Sequence, residues 1–254
     1  GHNYLDPNLI KDLVAKVDGT IVECNTAYPG KRMKSEDHWE TIKQHGFLDI
    51  APVDIMDEEG EISIPVTNGN HLKGEDIVGS HIQNYNSMLV LSHFKGHAMG
   101  GFGGALKNIS IGVASSNGKA WIHSVGRTKD VSKLWDYVED QDGFLESMAE
   151  ASSGVLNYFG KDNMAFINVA NKISIDCDCD SNPKDPEMAD IGIFASLDPV
   201  SLDKCCYDTI MNSSDPHRHS LIERMEEKHA IHTVNTASEL GVGNLEYELI
   251  DIDK

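Results

Sequence analysis

Hydrophobic positions along the chain switch repeatedly between helical and strand periods. Leu9, Ile10, Leu13, Val14 and Val17 recur at helical spacing, and Asp6-Pro7 supplies an N-cap and a first-turn proline, so a helix begins there and stops at Gly19. Thr20 to Cys24 reads as a buried strand, residues 36–45 as a second helix ending at His45-Gly46, and Glu61 to Val66 as a half-buried alternating strand before an Asn68-Gly69 turn. Met88-Leu89-Val90-Leu91 is a short apolar run that predicts a central parallel strand. The second half predicts helices over 131–150 and 148–160, strands at 165–169 and 191–195, and a helix from Asp198-Pro199. Strands alternating with helices predict an α/β fold with a mostly parallel sheet and helices on both faces. No repeat or linker interrupts the chain, so one unit over 1–254 is expected, its finer division being two lobes, 1–130 and 131–254, around a cleft.

Composition narrows the partners. The chain has 254 residues, with 40% hydrophobic and 24% charged positions, ordinary for a globular protein. Its charge is not ordinary: 21 Lys+Arg against 41 Asp+Glu leave a formal net charge of −20. Such a surface repels phosphate backbones and anionic membranes, so neither nucleic acid nor membrane is an expected partner. No apolar run approaches the ~18 residues of a membrane span, and no signal-peptide pattern opens the sequence. Four of the five cysteines sit in two tight clusters, which suits a reducing, cytoplasmic setting and metal or redox work better than a disulfide framework.

The segment after Leu91 carries the most chemistry. Ser92-His93-Phe94-Lys95-Gly96-His97 runs into Gly100-Gly101-Phe102-Gly103-Gly104 and then Lys107-Asn108. Dense glycines let backbone N–H groups approach an anion closely. The spacing is neither a dinucleotide fingerprint nor a P-loop, since Lys107 is followed by Asn. It predicts a pocket for a small anionic molecule, at the carboxyl end of a strand where ligands of such sheets bind. Lys95 and Lys107 would supply charge, and His93 and His97 acid–base or metal-ligand capacity. A purely structural glycine turn is the competing reading.

The second constellation is Asp176-Cys177-Asp178-Cys179-Asp180. On an extended chain Cys177 and Cys179 share one face and the three carboxylates the other, half of a soft-metal site. Buried structural cysteines are the alternative. A calcium loop from Asp176 to Glu187 fails because Ser181 stands where glycine is required and Pro183 and Pro186 interrupt it. His38 and His45, seven apart on the second helix, and His217, His219, His229 and His232 in a polar stretch read as surface histidines.

Glu23-Cys24-Asn25-Thr26, His45-Gly46-Phe47, the 92–108 segment, Cys177-Asp178-Cys179 and Ser196-Leu197-Asp198-Pro199 together resemble the uncharacterised iron–sulfur-centre family catalogued as domain of unknown function 362. The resemblance runs over nearly the whole chain. It implies Asn25, Thr26, Gly101, Gly103, Gly104 and Asn108 around a substrate or cofactor, and a metal ion or iron–sulfur cluster (iron, nickel or zinc) on Cys177 and Cys179. Two features depart from the family: no cysteine lies in 118–140, where many relatives carry a ferredoxin-like insert, so the iron–sulfur expectation does not transfer by that route, and relatives usually begin with a further strand, whereas this sequence opens at Gly1-His2-Asn3-Tyr4. More distantly, His97, Gly101-Phe102-Gly103-Gly104 and Lys107 are similar in spacing to a segment of nickel-dependent lactate racemase. There the lysine holds a nickel-pincer cofactor and the histidine is an acid/base. The expectation is a metal- or cofactor-dependent enzyme acting on a small anion by redox or isomerase-type chemistry, with a non-catalytic metal or cluster carrier as the alternative.

Overall fold

The computed structural model describes residues 3–178, 180 and 182–253. In chain order the elements are α1 (Pro7–Lys16), β1 (Ile21–Glu23), α2 (Ser35–Gln44), β2 (Val53–Ile55), β3 (Glu61–Pro65), β4 (Glu75–Gly79), β5 (Met88–His93), β6 (Lys95–His97), β7 (Gly101–Gly103), α3 (Ala105–Lys107), α4 (Ser116–His123), α5 (Gln141–Phe159), β8 (Met164–Ala170), β9 (Gly192–Ser196), α6 (Pro199–Met211), α7 (His219–Glu227) and α8 (Ile231–Glu239). Local capping explains several boundaries. The Asp6 carboxylate accepts from the Asn8 N–H ahead of Pro7, and Asp198 accepts from Val200 and Ser201 ahead of Pro199, as the sequence predicts. The two overlapping helices expected over 131–160 resolve differently. Asp130 caps a short 3-10 turn, Val131–Tyr137, and Asp140 then caps one continuous helix, α5.

The sheet is where expectation and structure part. Among the described residues the strands form small separate sheets: β1 with β2 parallel, β3 with β4 antiparallel, β6 with β7 antiparallel, and a three-stranded β5-β8-β9. β5 and β8 run parallel, with Leu91 opposite Ile167, but β9 returns antiparallel, with Ala195 opposite Ile167. The fold is therefore α/β only broadly, not built on a mostly parallel sheet. A parallel neighbour needs a crossover, usually helical. The β5-to-β8 connection has α3, α4 and α5 for it, whereas the described residues between Ala170 and Gly192 form no helix. Nor are both faces covered at β9, where Ile193 remains 61% exposed.

The core gathers around α5. Ala149, Val155 and Leu156 pack with Leu106 and Ile109 after the glycine segment, with Phe166 of β8, and with Val234 of α8. Ile64 and Val78 from the N-terminal part join the same cluster, so the core crosses residue 130. Fully buried Phe94 and Phe166 each contribute about 1.5–3 kcal/mol of burial free energy. They fix the strand ends from which the candidate site projects. No helix is long and apolar enough to cross a membrane.

Candidate functional site

The glycine segment folds as a tight hairpin. β6 and β7 pair with Lys95 opposite Gly103 and His97 opposite Gly101. Gly103 has no side chain, and that vacancy is used: a Cβ there would lie 2.9 Å from Lys95 Nζ and 3.2 Å from Lys107 Cδ. The two lysines, twelve residues apart, thus meet over one glycine, and Lys95 is only 6% exposed.

His97 sits beside them. Its Nδ1 accepts from the backbone N–H of Gly100 at 2.9 Å, which places its proton on Nε2, and its side chain also bonds that of Cys177. Burial, reinforced by the Lys107 charge, pushes the ring down to about 4, so it is neutral near pH 7. His93 is held differently. Its Nδ1 lies 2.9 Å from both Asp178 oxygens and its Nε2 donates to the Asn171 carbonyl at 2.6 Å, leaving neither nitrogen open to a substrate. Asp178 also lies 3.9 Å from Lys95 Nζ. The alternation expected for 176–180 does not hold at 177 and 178, since both Cys177 and Asp178 turn toward the glycine segment. Cys179 lies outside the described residues.

The glycines and Asn108 serve the protein's own packing. A Cβ on Gly101, whose φ is +76°, would meet Ala230, and one on Gly104 would collide with the Asp203 carboxylate. That carboxylate accepts from the N–H groups of Ala105 at 2.8 Å and Leu106 at 2.9 Å. The anion cradle that the glycines predict after Gly104 is thus filled from within, by a carboxylate that burial raises to about 6. Asn108 donates to the Leu91 carbonyl and to Ser92 Oγ, tying the segment to β5.

Asn25 and Thr26 are also bonded inside their own loop. Asn25 donates to Ser35 Oγ at 3.0 Å and its oxygen meets His38 Nδ1 at 3.0 Å, while Thr26 Oγ1 donates to the Tyr28 carbonyl. Burial, with the Arg32 and Lys119 charges, pushes His38 down to about 3, and burial pushes Cys24 up to about 12. His38, read as a surface residue, is in fact buried.

Helix α4 links this region to the glycine segment, and nothing in the sequence reading singled it out. Lys119 and His123 fall one turn apart on its buried face. Lys119 Nζ donates to the Ala114 carbonyl at 2.6 Å, and burial lowers its pKa despite the nearby Cys24 and Asp57. Burial, with the Lys107 charge, pushes His123 down to about 4. The i, i+4 spacing of two polar groups was a visible signal, hidden because α4 itself was not predicted. Among the described residues, no three His, Cys, Asp or Glu side chains converge on one metal position.

The comparisons are narrow. No curated protein matches the chain, and no solved structure does either. The likeness to the racemase therefore rests on the 97–107 spacing alone. A protein-family model does match, over residues 1–208, which takes in the Glu23–Thr26 loop, the glycine segment, α4 and Cys177. The chain belongs to the family described as domain of unknown function, DUF362.

Proposed function

We propose that the protein is an enzyme acting on a small anionic substrate held between Lys95 and Lys107, with His97 beside it for proton transfer in isomerase- or redox-type chemistry. One observation carries the reading: the buried Lys95 ammonium and the side chain of half-buried Lys107 meet over Gly103, in a chain whose net charge is −20. Asp178 lies 3.9 Å from Lys95 Nζ, and a small bound anion would add to that neutralisation. His97, neutral near pH 7, adds a polar group that exchanges protons without adding charge. A metal ion or cofactor held at the same place would supply Lewis-acid or redox capacity. Among the described residues His97 and Cys177 are the donors beside it.

The test is binding of acetate, followed by its NMR line broadening, to wild-type protein and to Lys107→Ala. Losing one charge-assisted contact should weaken binding at least about tenfold while the fold is retained. Equal binding by the two proteins would sink the proposal. A non-catalytic metal or cluster carrier on Cys177 and Cys179 makes the opposite forecast. Elemental analysis of anaerobically purified protein would then find metal that is lost in Cys177→Ser and indifferent to Lys107→Ala.

A further inference from the structure

We infer that the protein has a second ligand site, in a cavity of about 260 Å³ between the segment before α1 and the turn after β8, and that this site takes a small zwitterion with the ammonium and carboxylate of an α-amino acid. It shares no residue with the anion site and does not depend on that reading.

Three pieces of chain build the cavity. The segment before α1 is laid down as one wall: Asn3 Nδ2 donates to the Lys184 carbonyl at 3.4 Å, and the Tyr4 ring lies flat on the His45 ring, with centroids 3.9 Å apart and planes at 6°. The turn after α2 is the second wall. Gly46 takes a φ of +81° there, and the Asp49 carboxylate lies 3.7 Å from where its Cβ would be. The third is Lys172, two residues beyond β8, at the carboxyl end of the parallel pair β5 and β8. Ligands of α/β sheets bind at such strand ends.

Lys172 is placed there by force. Its φ of +44° is a conformation that a side-chain-bearing residue adopts only where its surroundings impose it. Both neighbouring peptide groups are pinned: the Asn171 carbonyl accepts from His93 Nε2 at 2.6 Å, and the Lys172 N–H donates to Asp190 Oδ1 at 2.7 Å. The side chain is thereby delivered to the cavity, where its ammonium has no partner among the described residues. Two carboxylates share the lining. Asp6 is committed to α1, its Oδ1 accepting from both the N–H and the side-chain amide of Asn8. Asp49 receives no donor among the described residues. Lys172 and Asp49 thus line one cavity with opposite charges and do not pair with each other. A simple anion would answer only the lysine, and a simple amine only the aspartate. One molecule carrying both charges a few bonds apart answers both through charge-assisted hydrogen bonds. Pro7 and Ile50 supply apolar lining for a short side chain. The volume falls below the roughly 300–1,000 Å³ of sites for drug-sized ligands, which sets the occupant at amino-acid size.

The experiment is an NMR titration of the full chain that follows the ring protons of Tyr4 and His45. Its probes are L-valine, L-valinamide, which lacks the carboxylate, and N-acetyl-L-valine, which lacks the ammonium. Wild-type protein should bind valine about tenfold more tightly than either analogue. Lys172→Met should bind valine and valinamide alike, and Asp49→Asn should bind valine and N-acetylvaline alike. Both side chains are exposed, so neither substitution touches the core. Lys107→Ala should bind valine as wild type does, which separates this site from the glycine segment. Tyr4 and His45 rings unmoved by valine, equal affinities for the three probes in wild type, or a preference that survives in its own variant would overturn the site. Valine binding lost in Lys107→Ala would overturn it too, by moving the ligand to the other lysines. Failure of acetate to bind would remove the anion site and leave this one standing.

Discussion

Gly104 stands directly against Asp203: the α-carbon has no room for a side chain because the carboxylate fills that space while accepting from the N–H groups of Ala105 and Leu106. The carboxylate comes from α6, almost a hundred residues later, and closes the glycine segment from the opposite side of the site.

Gly104→Ala should therefore be strongly destabilising, by about 2–4 kcal/mol, because the methyl must displace a buried hydrogen-bonded carboxylate. Urea denaturation measures it. A midpoint within error of wild type would show that the contact is slack.

Asp203 also makes stability depend on pH. Its carboxyl is raised to about 6 from an ordinary 3.8, so the folded state holds a proton that the unfolded chain has released. The contribution is fully present below about pH 4 and is lost as pH rises through 6. Compared with Asp203→Asn, wild type should gain about 2–3 kcal/mol between pH 7 and pH 4. A constant difference over that range would mean the group is not titrating there.

His38 works in the other direction. Held down to about 3 by burial and by Arg32 and Lys119, it stays neutral while the unfolded chain is protonated below 6.5. Stability is lost as pH falls through that interval, and His38→Gln should remove about 2 kcal/mol of the loss by pH 4.5. The same denaturation series checks it, with a variant curve parallel to wild type counting against the burial.

Cysteine chemistry should divide by depth. Burial raises Cys24 to about 12 and its thiol donates to the Val113 carbonyl at 3.3 Å, whereas Cys177 is half-buried beside His97. Iodoacetamide at pH 8 should label Cys177 well before Cys24, and Cys24 only on unfolding, as read by peptide mass mapping. Early modification of Cys24 would contradict its burial against the Val113 carbonyl.

What the sequence determined is what short-range physics decides. The Asp6-Pro7 and Asp198-Pro199 starts are set by side chains bonding N–H groups two or three residues away, and both helices begin where those dipeptides place them. The apolar runs at Met88–Leu91 and 165–169 become the paired parallel strands β5 and β8, but β8 is the central strand and β5, expected to be central, lies at the edge of the three-stranded sheet. The glycine segment, with Lys95, His97 and Lys107, was recognisable from composition and spacing alone.

The rest was decided by contacts between residues far apart in sequence. β9 runs antiparallel, and the described residues of the 170–192 connection form no helix to carry a crossover, a matter of path rather than pattern. The glycines that look like an anion cradle are occupied by Asp203, and the aspartate beside Cys177 is bound to His93. Which nitrogen of His97 or His123 keeps its proton depends on a backbone N–H in one case and a backbone carbonyl in the other. Hydrogen-bond partners of this kind exist only once the chain has closed on itself, so no spacing rule could have announced them.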